Sequence, residues 1–106
     1  MARVLAVVSD LMLASRVTAM LGAAGHEVDV VPTVPETDGF EADLVVCDLE
    51  ITDPATAAAL PAPVLGFYSH VDVETRTRAV DAGLELVVPR SRMARELPQL
   101  AARLLD

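Results

Sequence analysis

Two aspartates follow short apolar segments of the chain. Asp10 comes two residues after the segment 3–8 (RVLAVV), and Asp48 comes directly after the segment 43–47 (DLVVC). If both segments are parallel strands of one sheet, both carboxylates lie at the edge where the strands end. Two carboxylates in one crevice can hold a hard divalent cation such as Mg²⁺. Each aspartate could instead cap a helix or accept hydrogen bonds from loop amides, and the two side chains alone leave both interpretations open.

The segments that precede these aspartates have the pattern of buried strands. They are short, nearly continuous apolar runs rich in valine, and residues 63–68 (PVLGFY) and 85–88 (ELVV) are similar. Residues 27–31 (EVDVV) alternate between apolar and charged side chains, which is typical of an edge strand with one face in water. The sequence therefore predicts five strands, at 3–8, 27–31, 43–48, 63–68 and 85–88.

Helical patterns lie between these strands. Apolar residues recur every three or four positions over residues 11–24, with Asp10 as the N-cap and Gly25 as the stop signal. A second long helix is predicted over 72–82, where Asp72 begins the helix and Gly83 ends it. A third is predicted over 95–105 with Pro98 in its first turn. The connections at 32–42 and 53–61 contain prolines, so any helix there must be short.

Strands that alternate with helices predict a parallel sheet with right-handed crossovers. The expected architecture is α/β: a flavodoxin-like, doubly wound sheet of five parallel strands in the order 2-1-3-4-5, with shortened second and third helices. Residues 1–106 form a single domain in this interpretation, because a chain of 106 residues can bury one core but not two. In this order the first and third strands are neighbours where the strand order reverses, which brings Asp10 and Asp48 into one crevice.

The charge of the chain argues against several classes of partner. Eight basic residues against sixteen acidic ones give a formal charge of 8 − 16 = −8, and every basic residue is an arginine. Without a basic cluster, binding to nucleic acid or to an anionic membrane is not expected. No apolar run is long enough to span a bilayer and no signal peptide is recognised, so we expect a cytoplasmic protein. The single cysteine, Cys47, lies on a buried strand and is expected to be a core residue.

Other catalytic motifs find little support. Residues 48–52 (DLEIT) are similar to the D-x-D-x-T signature of haloacid-dehalogenase-type phosphatases, but Glu50 replaces the second aspartate and the chain is too short for the added elements of that family. No phosphate-binding glycine loop, dinucleotide fingerprint or nucleophile elbow is present. We therefore do not expect an enzyme. His70 lies at the predicted crevice and stays a candidate for a functional group.

Four segments resemble the receiver domains of two-component response regulators, and they are similar in particular to the chemotaxis receiver. They are residues 7–10 (VVSD), 42–48 (ADLVVCD), 63–70 (PVLGFYSH) and 81–91 (DAGLELVVPRS), which follow the strand order over nearly the whole chain. The resemblance implies that Asp48 is the phosphoryl acceptor and that Asp10 belongs to the acidic pair that holds Mg²⁺. It also implies that the backbone carbonyl of Glu50 is a further metal ligand.

The chain departs from the receiver pattern at three functional positions. Ser9 stands in the first place of the acidic pair, Tyr68 stands where the family has Thr or Ser, and Pro89 stands where the family has lysine. The neighbouring residues Ser69 and Arg90, together with Tyr68, are the candidates for the switch positions. Because phosphoryl transfer depends on positioned positive charge, these changes predict weak Mg²⁺ binding and slow or undetectable phosphorylation.

The resulting hypothesis is a stand-alone receiver-like signalling domain, a degenerate or pseudo-receiver, that acts through protein–protein interaction. Its partner is a signalling protein or a second copy of the chain. Two alternatives stay open: a phosphorelay receiver that is phosphorylated at Asp48, and a small-molecule-binding α/β domain that uses the same crevice. Apolar side chains are expected to be partly exposed beside the short helices. Self-association or partner binding is expected there, or on the surface formed by 72–82 and the last strand and helix.

Overall fold

The computed structural model describes residues 2–35, 41–69 and 72–105. Within these ranges, five strands alternate with four helices. The strands are β1 (Arg3–Val7), β2 (Glu27–Val31), β3 (Leu44–Asp48), β4 (Val64–Tyr68) and β5 (Leu86–Pro89). The helices are α1 (Leu11–Ala23), α2 (Pro54–Ala58), α3 (Val73–Asp81) and α4 (Arg90–Leu105). All five strands lie where the apolar segments of the sequence predict them.

The strands form one parallel sheet in the order β2-β1-β3-β4-β5. β1 lies in the interior of the sheet, with its Val7 opposite Val31 of β2 on one side and Cys47 of β3 on the other. The predicted flavodoxin-like order is thus confirmed. Because β1 and β3 run side by side in the same direction, Asp10 and Asp48 emerge at the same edge of the sheet.

Helices cover both faces of this sheet. α1 and α4 pack on one face, where the side chains of Leu21, Phe67 and Leu97 are fully buried. The other face carries α2 and α3, and Val45 and Ala57 lie in its core. Every residue of β3 and β4 is buried. This burial on both faces explains why these two strands are continuous apolar runs in the sequence.

Local residues set the ends of the helices as the sequence predicts. Asp72 caps α3 by accepting a hydrogen bond from the amide of Thr75 at 3.0 Å, and Asp10 caps α1 in the same way. Gly25 and Gly83 follow these two helices, and both have a φ of 91°. Glycine adopts this left-handed conformation without the steric cost that a Cβ atom would add.

The last helix begins earlier than the sequence predicts. We expect a helix over 95–105 from the sequence, but α4 begins at Arg90 and extends to Leu105. Its backbone bends at Glu96, where φ is −120° and ψ is 16°, two residues before Pro98. Proline lacks the amide hydrogen and its ring clashes with the carbonyl of the preceding turn, so it interrupts the helix. The segment before the bend forms nevertheless, because it buries Met93 completely in the core.

The predicted shortening of the helix after β3 is confirmed, since α2 has five residues behind the N-cap Asp53. The other shortened helix is predicted within 32–42. Residues 32–35 and 41–42 contain no helix, and residues 36–40 lie outside the described part of the chain. Beside this connection, Leu5 and Val31 are half-buried.

Large exposed apolar side chains lie on two of the helices. Val73 and Val80 of α3 are 64% and 55% exposed, and their spacing of seven residues places them on the same face of the helix. Leu11 and Met12 are exposed at the start of α1. The two valines lie on the second of the two surfaces on which the sequence leads us to expect partner binding. Of the helices in the described ranges, none combines the length and the apolar character needed to cross a bilayer.

Candidate functional site

Asp10 lies in the loop between β1 and α1, and both of its carboxylate oxygens are engaged. Oδ1 accepts hydrogen bonds from the amides of Met12 at 2.9 Å and Leu13 at 3.1 Å. Oδ2 accepts a hydrogen bond from a guanidinium nitrogen of Arg90 at 3.0 Å. Asp10 is therefore an N-cap and an ion-pair partner at the same time.

Asp48 is the last residue of β3, and only 6% of it is exposed. Its Oδ1 accepts a hydrogen bond from the amide of Glu50 at 2.9 Å. Its backbone carbonyl accepts hydrogen bonds from the amides of Ile51 and Thr52. These bonds close a turn directly after the strand, and the turn holds the carboxylate at the edge of the sheet.

The two aspartates have opposite electrostatic surroundings. Burial raises the pKa of Asp48 above its ordinary value, the charges of Glu50 and Asp10 add to this, and the Glu50 amide and the Arg90 guanidinium partly offset it. The pKa of Asp10 is lowered, chiefly by the amide of Leu13 and next by Arg90. Asp48 is therefore the aspartate of this site whose negative charge costs free energy in the folded protein.

Four of the predicted site residues line one open cavity of about 720 Å³ at the carboxyl edge of the sheet, namely Asp10, Glu50, Ser69 and Arg90. They come from the loops after β1, β3 and β4 and from the first turn of α4. Asp48 adjoins this cavity through its hydrogen bond with the amide of Glu50. The fold thus gathers these side chains where a doubly wound sheet places its functional residues.

Tyr68 is not among the side chains that line this cavity. It ends β4 opposite Pro89 of β5, and 6% of it is exposed. The next residue, Ser69, lines the cavity, so a serine rather than the tyrosine supplies a hydroxyl group there. His70, the remaining candidate from this segment, lies outside the described residues.

Sequence analysis missed Arg16, whose side chain also lines the cavity. The signal was its spacing, because Asp10, Leu13 and Arg16 follow one another at intervals of three along the start of α1. Residues three apart lie on neighbouring turns of the same helix face. The cavity therefore contains two arginines, Arg16 and Arg90, beside the carboxylates of Asp10 and Glu50.

Cys47 is a core residue, as the sequence predicts. It is fully buried in β3, and burial raises the pKa of its thiol to about 11, although a hydrogen bond with Thr52 acts in the opposite direction. A thiol with this pKa is protonated at neutral pH and is a poor nucleophile. Cys47 therefore contributes packing rather than chemistry to the strand that carries Asp48.

The described residues are a poor fit for a Mg²⁺ ion. Among them, no group of three or more acidic, histidine or cysteine side chains is arranged to hold a metal. Both oxygens of Asp10 already have donors, and Ser9 brings a hydroxyl group instead of a carboxylate. Mg²⁺ requires near-octahedral oxygen coordination and is held by free carboxylates. Of the ligands predicted from the sequence, Asp10, Asp48 and the Glu50 carbonyl, two bring carboxylates, and one of these two, Asp10, is paired with Arg90.

Replacing Asp48 with asparagine is expected to stabilise the fold by about 1 kcal/mol at pH 7, as is common when a destabilising functional side chain is removed. The raised pKa of Asp48 means that its ionisation costs free energy in the folded state. The gain should be complete above the folded-state pKa and shrink as the pH falls through it. Below 3.8, where Asp48 is protonated in both states, the gain should vanish. Urea unfolding at several pH values measures this dependence.

Asp10→Asn is the matched control for this experiment. Because the pKa of Asp10 is lowered, its negative charge stabilises the folded state. That stability is present above 3.8 and is lost as the pH falls through the lowered folded-state pKa. Asp10→Asn is therefore expected to destabilise the fold at pH 7, opposite in sign to Asp48→Asn. Changes of the same sign in the two variants would contradict this assignment of the charges.

Comparison with solved structures finds this architecture in response regulators. NtrX from Brucella abortus is 22% identical, with a TM-score of 0.81 over 98% of this chain and 26% of the NtrX chain. The receiver domain of ChxR from Chlamydia trachomatis is 23% identical, with a TM-score of 0.70 over 99% of this chain and 98% of that one. A response regulator from Thermotoga maritima is 17% identical, with a TM-score of 0.79 over 97% and 96% of the two chains.

This chain spans about a quarter of the length of NtrX and nearly the whole length of the other two structures. No family model and no curated protein matches its sequence. The shared features are the five-stranded parallel sheet, its strand order and the helices on both faces. In its architecture, with Asp48 at the end of the third strand, this chain has the fold of response-regulator receiver domains.

Proposed function

We propose that this chain is a receiver-like signalling domain that acts by binding a protein partner, with impaired phosphoryl acceptance at Asp48. The observation that carries the proposal is the ion pair between Asp10 and Arg90, at 3.0 Å. It engages the carboxylate that a receiver would use to hold Mg²⁺. We further propose that the domain works in the cytoplasm and has no catalytic activity of its own.

The distribution of charge supports impaired phosphorylation. Transfer of a phosphoryl group to Asp48 requires positive charge placed against the phosphoryl oxygens. The chain contains no lysine, and the guanidinium of Arg90 is paired with Asp10. The positive charge near Asp48 is therefore already partly neutralised. The hydroxyl group of Ser9 adds no negative charge that would attract a metal ion.

The packing around Asp48 supports the same proposal. Phe67, its partner in the register of β3 and β4, is fully buried. Tyr68, which stands where the receiver pattern has a smaller Thr or Ser, is also buried. Because Tyr68 does not line the cavity, the side chain at this position of the receiver pattern brings no hydroxyl group into it. Ser69 and Ser91 bring the hydroxyl groups that line the cavity.

The surface of α3 supports a role in protein binding. Val73 and Val80 lie exposed on one face of this helix. The helix is tied to the chain before α2 by an ion pair between Arg78 and Asp53 at 2.9 Å. Apolar side chains that share an exposed face are typical of contact surfaces. A signalling protein or a second copy of the chain could cover them.

A phosphorelay receiver is the second candidate function. It is favoured by the position of Asp48 at the end of the third strand. By the resemblance to receivers, this is the position of the phosphoryl acceptor. Arg90 lies close enough to Asp48 for its charge to lower the pKa of that carboxyl. In this alternative the guanidinium would leave Asp10 and pair with the phosphoryl group instead.

A small-molecule-binding domain is the third candidate, favoured by the cavity of about 720 Å³. Its volume lies within the range of roughly 300–1,000 Å³ that is common for ligand pockets. Such pockets bury most of their ligand, whereas this cavity is a wide surface cleft between the starts of α1 and α4. We therefore favour protein binding over this alternative.

Treatment with acetyl phosphate and Mg²⁺, followed by intact-mass measurement, tests the proposal. We expect the mass of the wild-type chain to stay unchanged, because the guanidinium of Arg90 is paired with Asp10 instead of being available to a phosphoryl group. Asp48→Asn is the matched control, since it removes the acceptor oxygen and keeps the hydrogen bond from the Glu50 amide. A gain of one phosphate mass in the wild type but not in Asp48→Asn would sink the proposal in favour of the phosphorelay alternative.

A further inference from the structure

A guanidinium group occupies the place in this crevice where a metal would need free carboxylate oxygens. Arg90 donates to Oδ2 of Asp10 at 3.0 Å, and the amides of Met12 and Leu13 donate to Oδ1. No oxygen of Asp10 is thus left without a donor. A divalent ion that bound Oδ2 of Asp10 would share this oxygen with the guanidinium of Arg90, and the two positive charges would repel each other.

The same guanidinium acts on the second carboxylate of the crevice. Asp48 ends β3, which pairs with β1, so its carboxylate emerges at the same edge of the sheet as Asp10 and the start of α4. Arg90 therefore brings its positive charge to the edge of the sheet at which the carboxylates of Asp10 and Asp48 lie. This is the electrostatic role that a bound cation would have at the same place.

The backbone holds Arg90 in this position. It is the first residue of α4 and follows Pro89, the last residue of β5, whose φ is restricted by its ring. Three residues further on, Met93 is fully buried in the core and anchors the first turn of the helix. The arginine is therefore positioned by a strand end and a helix start rather than by a free loop.

We propose that Arg90 is a built-in counterion that replaces the divalent cation of a receiver and closes this site to Mg²⁺. The inference deepens the proposed function and rests on it, since both concern the same carboxylate site. Its consequence is regulatory: the arrangement of Asp10, Asp48 and Arg90 does not change with the concentration of divalent cations. A partner would then meet this surface in one state, with or without metal.

Mn²⁺ titration followed by NMR tests this proposal, because the paramagnetic ion broadens the amide signals of residues close to its binding site. In the wild type we expect no selective broadening at residues 9–13 and 48–50. In Arg90→Gln the competing charge is removed, and a like charge within a few ångströms of a cation site opposes binding strongly. We therefore expect selective broadening there, at a Mn²⁺ concentration at least about tenfold lower than any effect on the wild type.

Arg92→Gln is the matched control. Arg92 lies in the same helical turn, its side chain is 41% exposed like that of Arg90, and it pairs with Glu96 at 3.5 Å. This variant should behave like the wild type, as should Arg90→Lys, which keeps the positive charge. The wild-type titration also decides the question by itself if Arg90→Gln does not fold.

Selective broadening at residues 9–13 and 48–50 in the wild type would overturn the inference. Identical Mn²⁺ titrations of Arg90→Gln and the wild type would overturn it as well. The proposed function is contradicted by a different result, a gain of one phosphate mass at Asp48. A chain that is phosphorylated but shows no selective Mn²⁺ binding would lose its proposed function, whereas the built-in counterion would stand.

Discussion

Truncation of Phe67 to alanine is expected to lower the free energy of unfolding by about 3–5 kcal/mol, the usual cost of removing a buried aromatic ring. Phe67 is the largest of the fully buried side chains in the described residues, and it lies in the core beneath α1 and α4. Removal of the ring leaves a cavity beside β4, at the residue that is the register partner of Asp48. Because small domains are stable by only roughly 5–15 kcal/mol, this loss is a large fraction of the total.

Urea unfolding followed by circular dichroism measures this effect, with Leu11→Ala as the control. Leu11 is also a large apolar residue, but it is 83% exposed at the start of α1. Its truncation should change stability by no more than about 0.5 kcal/mol, as is usual for surface positions. A loss below about 1 kcal/mol in Phe67→Ala would show that the ring is not packed as described.

Gly66→Ala is expected to cost about 1–3 kcal/mol, the range typical of an extra methyl group forced into a packed core. A Cβ atom on Gly66 would lie 2.8 Å from Cδ1 of Leu49 and 3.3 Å from Cδ1 of Leu84. Both leucines pack in the core on the α2 and α3 side of the sheet. Leu49 directly follows Asp48, so any shift of its side chain also disturbs the turn that holds the acceptor-like carboxylate.

Gly22→Ala is the matched control, because it adds the same methyl group where there is room. Gly22 lies within α1, and a Cβ atom there would meet nothing within 4 Å. Alanine is the better helix former, so this change should raise stability by roughly 0.5–1 kcal/mol. Thermal unfolding should then show midpoints that move in opposite directions. Equal shifts in the two variants would mean that the space around Gly66 is larger than described.

These core positions matter for function because the packed strands and helices position the side chains of the site. Asp48 is held by the end of β3, and Arg90 is held by the junction of β5 and α4. The ion pair between Arg90 and Asp10 is partly exposed and contributes little stability of its own. The geometry of the crevice therefore depends on the packing of the sheet and the two helices below it.

The sequence by itself determined the scaffold and most of the candidates. Continuous valine-rich runs predicted the buried strands, since a strand covered on both faces tolerates few polar residues. The caps Asp10 and Asp72 and the glycines after α1 and α3 predicted helix ends, because capping depends on residues within one turn. Alternation of strands and helices, with its fixed handedness, then reduced the possible topologies to a few, and the flavodoxin-like order among them is the one that is found.

Only the tertiary structure decided which partners the candidate side chains contact and how deeply they are buried. Arg90 meets Asp10 across 80 residues of chain, and no local pattern specifies that contact. The burial of Tyr68, and the early start of α4 over the buried Met93, likewise depend on side chains that arrive from other strands and helices. Local patterns follow from propensity and capping, which act within a few residues. Side-chain partners and the cost of burying a charge at Asp48 follow from the packed surroundings, which exist only once the sheet has formed.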